Sequence, residues 1–152
     1  MLQVTTRPLM VLTAELGPPQ QLGDTPTGNR KIVYVTGGSV EGDRVNGRLL
    51  PGGGDWASVR SDGVLLLDVR LTIETGDGAL ILCTYAGMRH GPADILAAVG
   101  RGEAVDPALY YFRIQAHFET GDRRYAWMNR LLTVGVGERL ARGPRYHIHE
   151  VL

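Results

Sequence analysis

Asp68 and Arg70 stand two residues apart in the apolar run GVLLLDVRLTIET, residues 63–75. Residues two apart in an extended chain share a face, so an acid and a guanidinium project side by side. Facing a pocket, Arg70 would hold an anionic or carbonyl oxygen, while Asp68 would orient it or accept a proton. Facing water, the same two residues form an exposed ion pair worth about 0–1 kcal/mol. A second candidate lies in GMRHGP, where Arg89 and His90 are adjacent. His90 could act as a general base, or it could simply contact backbone at the start of a helix. Neighbours in an extended segment point apart, so Arg89 and His90 reach one pocket only if the chain turns there.

Asp68, Arg70 and His90 are therefore the candidate catalytic residues. The candidate ligand contacts come from stretches that mix aromatic and polar side chains on one face, as ligand pockets do. In YYFRIQAHFET these are Tyr111 and Arg113, and in YAWMNR they are Trp127 and Asn129. Tyr85 and Arg89 join them from CTYAGMRHG, and Trp56 from GGGDW. The phenols and guanidinia would serve as oxyanion donors, and Trp56 and Trp127 could stack on a flat ligand or fill a core. The same mixtures also occur on wet sheet faces.

Other motifs carry less. His147 and His149 are two apart in PRYHIHEVL, but a zinc-type site needs a third ligand, and a solvated face explains the pair as well. LPGGGDW lacks the Lys-Ser/Thr of a phosphate loop, and a bend or bulge that curls a sheet accounts for it. There is no Gly-x-Ser-x-Gly elbow. Cys83 is the only cysteine, which excludes an internal disulfide and multi-cysteine metal sites. No metal and no cofactor is expected.

The elements that must position these residues read as β throughout. Glycine makes up 21 of 152 residues, against a usual share of about 7%, and falls between short apolar runs. Strands are expected at Pro8–Leu16, Lys31–Val40, Arg44–Leu50, Ala57–Arg60, Val64–Thr75, Ala79–Met88, Tyr110–Glu119, Tyr125–Arg139 and Arg145–Leu152. Asp62-Gly63 and Gly76-Asp77-Gly78 mark hairpin turns, and Gly17–Arg30 reads as a loop. In Val64–Thr75 the odd positions Leu65, Leu67, Val69, Leu71 and Ile73 form a core face. One segment differs: Pro92 followed by helix formers, with Gly100 and Gly102 as stops, predicts a short helix over Pro92–Val99.

No βαβ alternation occurs. The expected fold is a single all-β domain over residues 1–152, an antiparallel barrel of about eight to nine strands with one short helix. A two-sheet sandwich is the alternative. A barrel of about eight strands can hold one small ligand.

Sixteen Lys plus Arg balance sixteen Asp plus Glu, which argues against a nucleic-acid binder. Lys31 is the only lysine. No stretch approaches the roughly 18 apolar residues of a membrane helix, and no secretory signal is evident, so the expectation is a cytoplasmic protein that neither enters nor binds membranes.

In their order and spacing, VTGGSVEG, GRLLPGGGDW, SDGVLLLDVRLTIETGDGALI, GMRHGP, YYFRIQAHFETGDRRYAWMNR and VGVGER resemble the bacterial family numbered 3237 among the domains of unknown function. The resemblance runs from about Lys31 to the C-terminus. It implies a single-domain β-barrel with a central cavity and no assigned chemistry. Positions typical of the family include Asp55, Trp56, Asp68, Arg70, Arg89 and Asn129.

The functional expectation is a small-molecule-binding barrel. One form is a cofactor-independent isomerase, cyclase or lyase acting on a partly apolar substrate, with Asp68 or His90 as base. Another is a ligand-binding protein without turnover. A third is a scaffold for a homodimer or higher homo-oligomer. A perturbed acid in a cavity favours the first, a wholly apolar cavity the second, and a filled barrel the third.

Overall fold

A computed structural model describes residues 1–152. Ten strands alternate with turns: β1 (Thr6–Leu16), β2 (Gln20–Thr25), β3 (Gly28–Glu41), β4 (Gly47–Leu49), β5 (Gly54–Val59), β6 (Leu65–Thr75), β7 (Leu80–His90), β8 (Tyr111–Glu119), β9 (Thr133–Leu140) and β10 (Gly143–Val151). All pairings are antiparallel.

β1 pairs with β10 on one side and with β3 on the other, and that double pairing closes the ring. β4 and β5 share one position between β3 and β6, and β2 pairs only with β3, as a hairpin arm outside the ring. The result is an eight-stave antiparallel closed barrel, and the sandwich alternative is excluded because the staves close into one ring rather than two facing layers. Closure needs one close approach in particular. Gly38 has φ +141°, and a Cβ there would lie 2.1 Å from the Thr13 carbonyl oxygen across the β1–β3 seam.

The period-two pattern of β6 is realised as expected: Leu65, Leu67, Val69, Leu71 and Ile73 are buried. In β8 the buried face is Phe112, Ile114, Ala116 and Phe118, with Tyr111, Arg113, Gln115 and His117 outside. Gly137 on β9 leaves room for Phe112 to lie across it, since a Cβ would meet that ring at 2.7 Å.

The two ends of the barrel differ. One end is closed by hydrocarbon: Leu12, Val40, Val45, Ile73, Ile81 and Met128 are almost wholly buried. Each such side chain contributes about 1.5–3 kcal/mol, so this half carries much of the stability. The other end is bounded by the β1–β2 and β9–β10 connections and stays open. Helix α1 (Ala93–Gly100) lies between β7 and β8, burying Val99 and partly burying Ile95 and Leu96. Gly102, at φ +78°, ends it with its N–H on the Val99 carbonyl. No helix is long and apolar enough to cross a membrane.

Two expectations fail. Gly17–Arg30 is not a loop but contains β2 and the start of β3. Tyr125–Arg130 is not a strand; Arg123–Arg130 forms a 3₁₀ helix. The Asp122 side chain caps it by accepting the Arg124 N–H at 2.9 Å, and Tyr125 Oη donates to Asp77 Oδ1 at 3.0 Å. Tyr125 and Met128 then share a face at the three-residue period, and Met128 seals the closed end.

Candidate functional site

The cavity occupies the open half of the barrel, with a volume of about 450 Å³. Strand register sets its depth. Asp55 on β5 lies opposite Val69 on β6, and Val69 lies opposite Tyr85 on β7, so the acid and the phenol stand in one row across three strands. Tyr146 enters from β10. Arg89 is on the same strand as Tyr85, four residues nearer the open end, or roughly 13 Å along the backbone. Lys31 on β3 and Arg139 on β9 complete the polar lining, and Val33, Val35, Leu65, Leu67 and Phe112 supply apolar wall.

Asp55 is the unusual group. The β5–β6 ladder pairs Gly54, Asp55, Ser58 and Val59 but skips Trp56 and Ala57. Through that gap the backbone N–H of Asp68 donates to Asp55 Oδ1 at 3.0 Å. Asp55 Oδ2 takes no hydrogen bond from the protein, and no ion pair reaches the carboxylate. Burial dominates and pushes its pKa up to about 6, against the lowering effects of the Asp68 N–H and of Lys31. A carboxyl in that range accepts and returns protons near neutral pH.

The two phenols face the same space. Tyr85 and Tyr146 meet edge-on, with ring centroids 5.2 Å apart, and Tyr146 meets Phe112 in the same way at 5.3 Å. The Tyr146 hydroxyl is fully buried, with the Tyr85 hydroxyl beside it, and makes no hydrogen bond of normal geometry. Leaving such a group unsatisfied costs about 1–3 kcal/mol. Burial raises the pKa of both phenols, so they remain protonated donors. Burial likewise lowers that of Arg89, with Arg139 nearby adding to the effect, and lowers that of Lys31, with Arg89 adding. Arg89 also lies over the Phe112 ring at 5.5 Å.

The expected catalytic residues lie elsewhere. Asp68 and Arg70 are on the outer face of β6, each side chain 58% exposed, 3.6 Å apart. They point outward because the odd positions of β6 fill the core. His90 is on the outer surface as well, stacked on Tyr111 at 4.7 Å. Tyr111 and Arg113 line a shallow outer groove with Met88, Val134 and Val136. Trp56 is on the outside of β5, under Arg70 at 5.7 Å. Trp127 packs at the closed end beneath Arg44 at 4.3 Å. Asn129 ties the chain there, donating to the Thr120 carbonyl at 3.0 Å and accepting its N–H at 2.8 Å. Only Tyr85 and Arg89, of the expected set, line the cavity.

Lys31, Arg139 and Tyr146 were missed, and Asp55 was noted only as a position typical of the family, with no role at the site. Asp55 sits in GGGDW, where glycines hide the alternation. Lys31 did carry a signal: it is the single lysine in a chain whose other basic residues are all arginine. His147 and His149 stay apart from any metal-binding group; no cluster of three or more His, Cys, Asp or Glu forms. The Cys83 thiol is buried, which pushes it up to about 12 and leaves it unreactive.

The family model described as "Protein of unknown function (DUF3237)" matches residues 4–151. A UPF0311 protein of Rhodopseudomonas palustris is 36% identical over 147 residues, covering 97% of this chain and 96% of its own. A UPF0311 protein of Clostridium acetobutylicum is 40% identical over 117 residues, covering 77% and 74%. Among solved structures, a conserved protein of unknown function from Rhodopseudomonas palustris superposes with TM-score 0.93 at 34% identity, covering 100% and 99%. A "beta-barrel like protein" from Acinetobacter baumannii gives TM-score 0.87 at 37% identity, covering 100% and 98%. An enzyme from Penicillium herquei gives 0.77 at 19%, covering 100% and 97%.

Proposed function

We propose, for a chain that belongs to the DUF3237 (UPF0311) family of small β-barrel proteins, cofactor-independent proton-transfer catalysis on a partly apolar small molecule in the barrel cavity. The observation that carries this reading is Asp55: a half-buried carboxyl raised to about 6 by loss of water contact, in a 450 Å³ cavity, with one oxygen unengaged. The Penicillium herquei enzyme shares the barrel, and at that identity the likeness speaks for the fold alone.

Ionised Asp55 accepts a proton from a C–H or O–H acid of the substrate on Oδ2. The electron pair left behind moves to a substrate oxygen, which Tyr146 and Tyr85 stabilise by donating their hydroxyl protons in hydrogen bonds. The unpartnered Tyr146 hydroxyl thereby gains the acceptor it lacks. Arg89 offsets the negative charge. Asp55 then returns its proton to a different atom, giving isomerisation or ring closure, or the electron pair expels a leaving group that takes the proton from Asp55, giving lyase chemistry. The Asp68 N–H holds Oδ1 in place throughout.

The test is hydrogen exchange. Small apolar ketones, enones and phenols are incubated with the protein in D₂O, and substrate C–H signals are followed by proton NMR. The reading expects exchange or conversion of at least one compound, slowed about 10²–10⁴-fold in Asp55→Asn. Binding with no exchange under any condition supports the second reading, a ligand-binding protein without turnover, which the apolar wall of the cavity also favours.

A further inference from the structure

We infer that the ligand of this cavity carries a carboxylate on an apolar body, with the anionic group held by Arg89, Arg139 and Lys31 towards the open end. This rests on the cavity being the working site, and it goes further by naming the charge the ligand must bring.

The cavity holds an uncompensated surplus of positive charge. Ion pairs are plentiful elsewhere in the molecule, yet none involves Lys31, Arg89 or Arg139. Lys31 and Arg89 make no side-chain hydrogen bond at all, and Arg139 reaches only the Leu140 carbonyl. At the rim, Arg142 is already paired with Glu15 at 3.4 Å. That leaves three cations against the single acid Asp55. The chain as a whole has a formal net charge of zero, so the excess is local.

The three cations sense one another. Arg89 is disfavoured by Arg139, and Lys31 by both. Like charges gathered in a partly dry cavity cost stability, and a bound anion relieves that cost. Nine of the fifteen arginines form ion pairs; Arg89 and Arg139 form none, nor does Lys31, although Asp55 is in the same chamber. The Arg89 fork suits a planar carboxylate. Val33, Val35, Leu65 and Phe112 beside it suit an apolar body. No loop of backbone N–H groups of the phosphate-binding kind lines the wall, which favours carboxylate over phosphate.

The experiment measures binding by isothermal titration calorimetry with three matched probes: 2-naphthoate, 2-naphthamide and 2-naphthyl phosphate. The inference expects 2-naphthoate to bind at least ~10-fold tighter than the amide, with the preference shrinking as salt is raised. Arg89→Met and Lys31→Met, each checked for an unchanged circular-dichroism spectrum, should each reduce the preference several-fold. Asp55→Asn should strengthen 2-naphthoate binding by removing a like charge. Equal binding of acid and amide overturns the inference and leaves the cavity as a site for neutral ligands. Tighter binding of the phosphate overturns the carboxylate assignment. A carboxylate preference without hydrogen exchange on any compound keeps this inference and removes the catalytic reading.

Discussion

The backbone N–H of Asp68 donates to Asp55 Oδ1 at 3.0 Å, while the side chain of Asp68 points the opposite way, into solvent. The residue touches Asp55 through its main chain, and its carboxylate acts there only as a nearby like charge. Asp68→Asn and Arg70→Ala are therefore expected to shift unfolding free energy by no more than ~0.5 kcal/mol. Ligand affinity should be unchanged in both, as read by calorimetry with any compound that binds the native protein.

Stability should depend on pH through Asp55. Its carboxyl is raised from 3.8 to about 6 on folding. Below the unfolded value both states are protonated and the contribution is fully present. As pH rises through the folded value the buried group is forced to ionise and that contribution is lost. The loss is on the order of 2–3 kcal/mol. Asp55→Asn keeps an acceptor for the Asp68 N–H and does not titrate. Urea unfolding at pH 4, 5, 6 and 7 should show the variant gaining on the native protein across that interval and holding its gain above it.

Tyr146→Phe removes a buried hydroxyl that makes no hydrogen bond of normal geometry in the folded protein. Thermal unfolding should show it neutral or stabilising by ~1 kcal/mol, unlike most truncations of a buried side chain. Ligand binding should weaken by a similar amount. The two effects of opposite sign separate a group held ready for a ligand from one that merely packs.

Gly38→Ala places a Cβ against the Thr13 carbonyl at a positive φ. Opening the β1–β3 seam is the only relief, so a loss of at least ~2–3 kcal/mol is expected. Chemical denaturation measures it.

The architecture was largely legible, and the site only in part. Clean alternation in β6 fixed which residues face inward, because a one-residue slip would expose a whole hydrophobic row; β8 alternates as cleanly, yet its expected ligand contacts Tyr111 and Arg113 lie on the outer face. The same rule, followed through, puts Asp68 and Arg70 outside: five apolar residues on the opposite face outweigh one charged pair. Tyr125, Trp127 and Asn129 misled because a 3₁₀ turn seeded by Asp122 leaves the same alternate letters as a strand. Asp55 was hidden for a different reason. Its inward direction is set by pairing with Val33 and Val69 on two other strands, and long-range pairing leaves no local trace in GGGDW. Lys31, Arg139 and Tyr146 meet Asp55 only because β3, β5, β9 and β10 close one ring.

The account stands on Asp55 being a half-buried cavity acid that titrates near neutrality. Carbon-13 NMR of the aspartate carboxyls, titrated from pH 3 to 8 with Asp55→Asn supplying the assignment, measures this directly. The expected result is one carboxyl with a midpoint near 6, missing in the variant. An Asp55 signal titrating near 4, with the other aspartates, would mean that the cavity wets the carboxyl as bulk water does, and the proposed base would be gone.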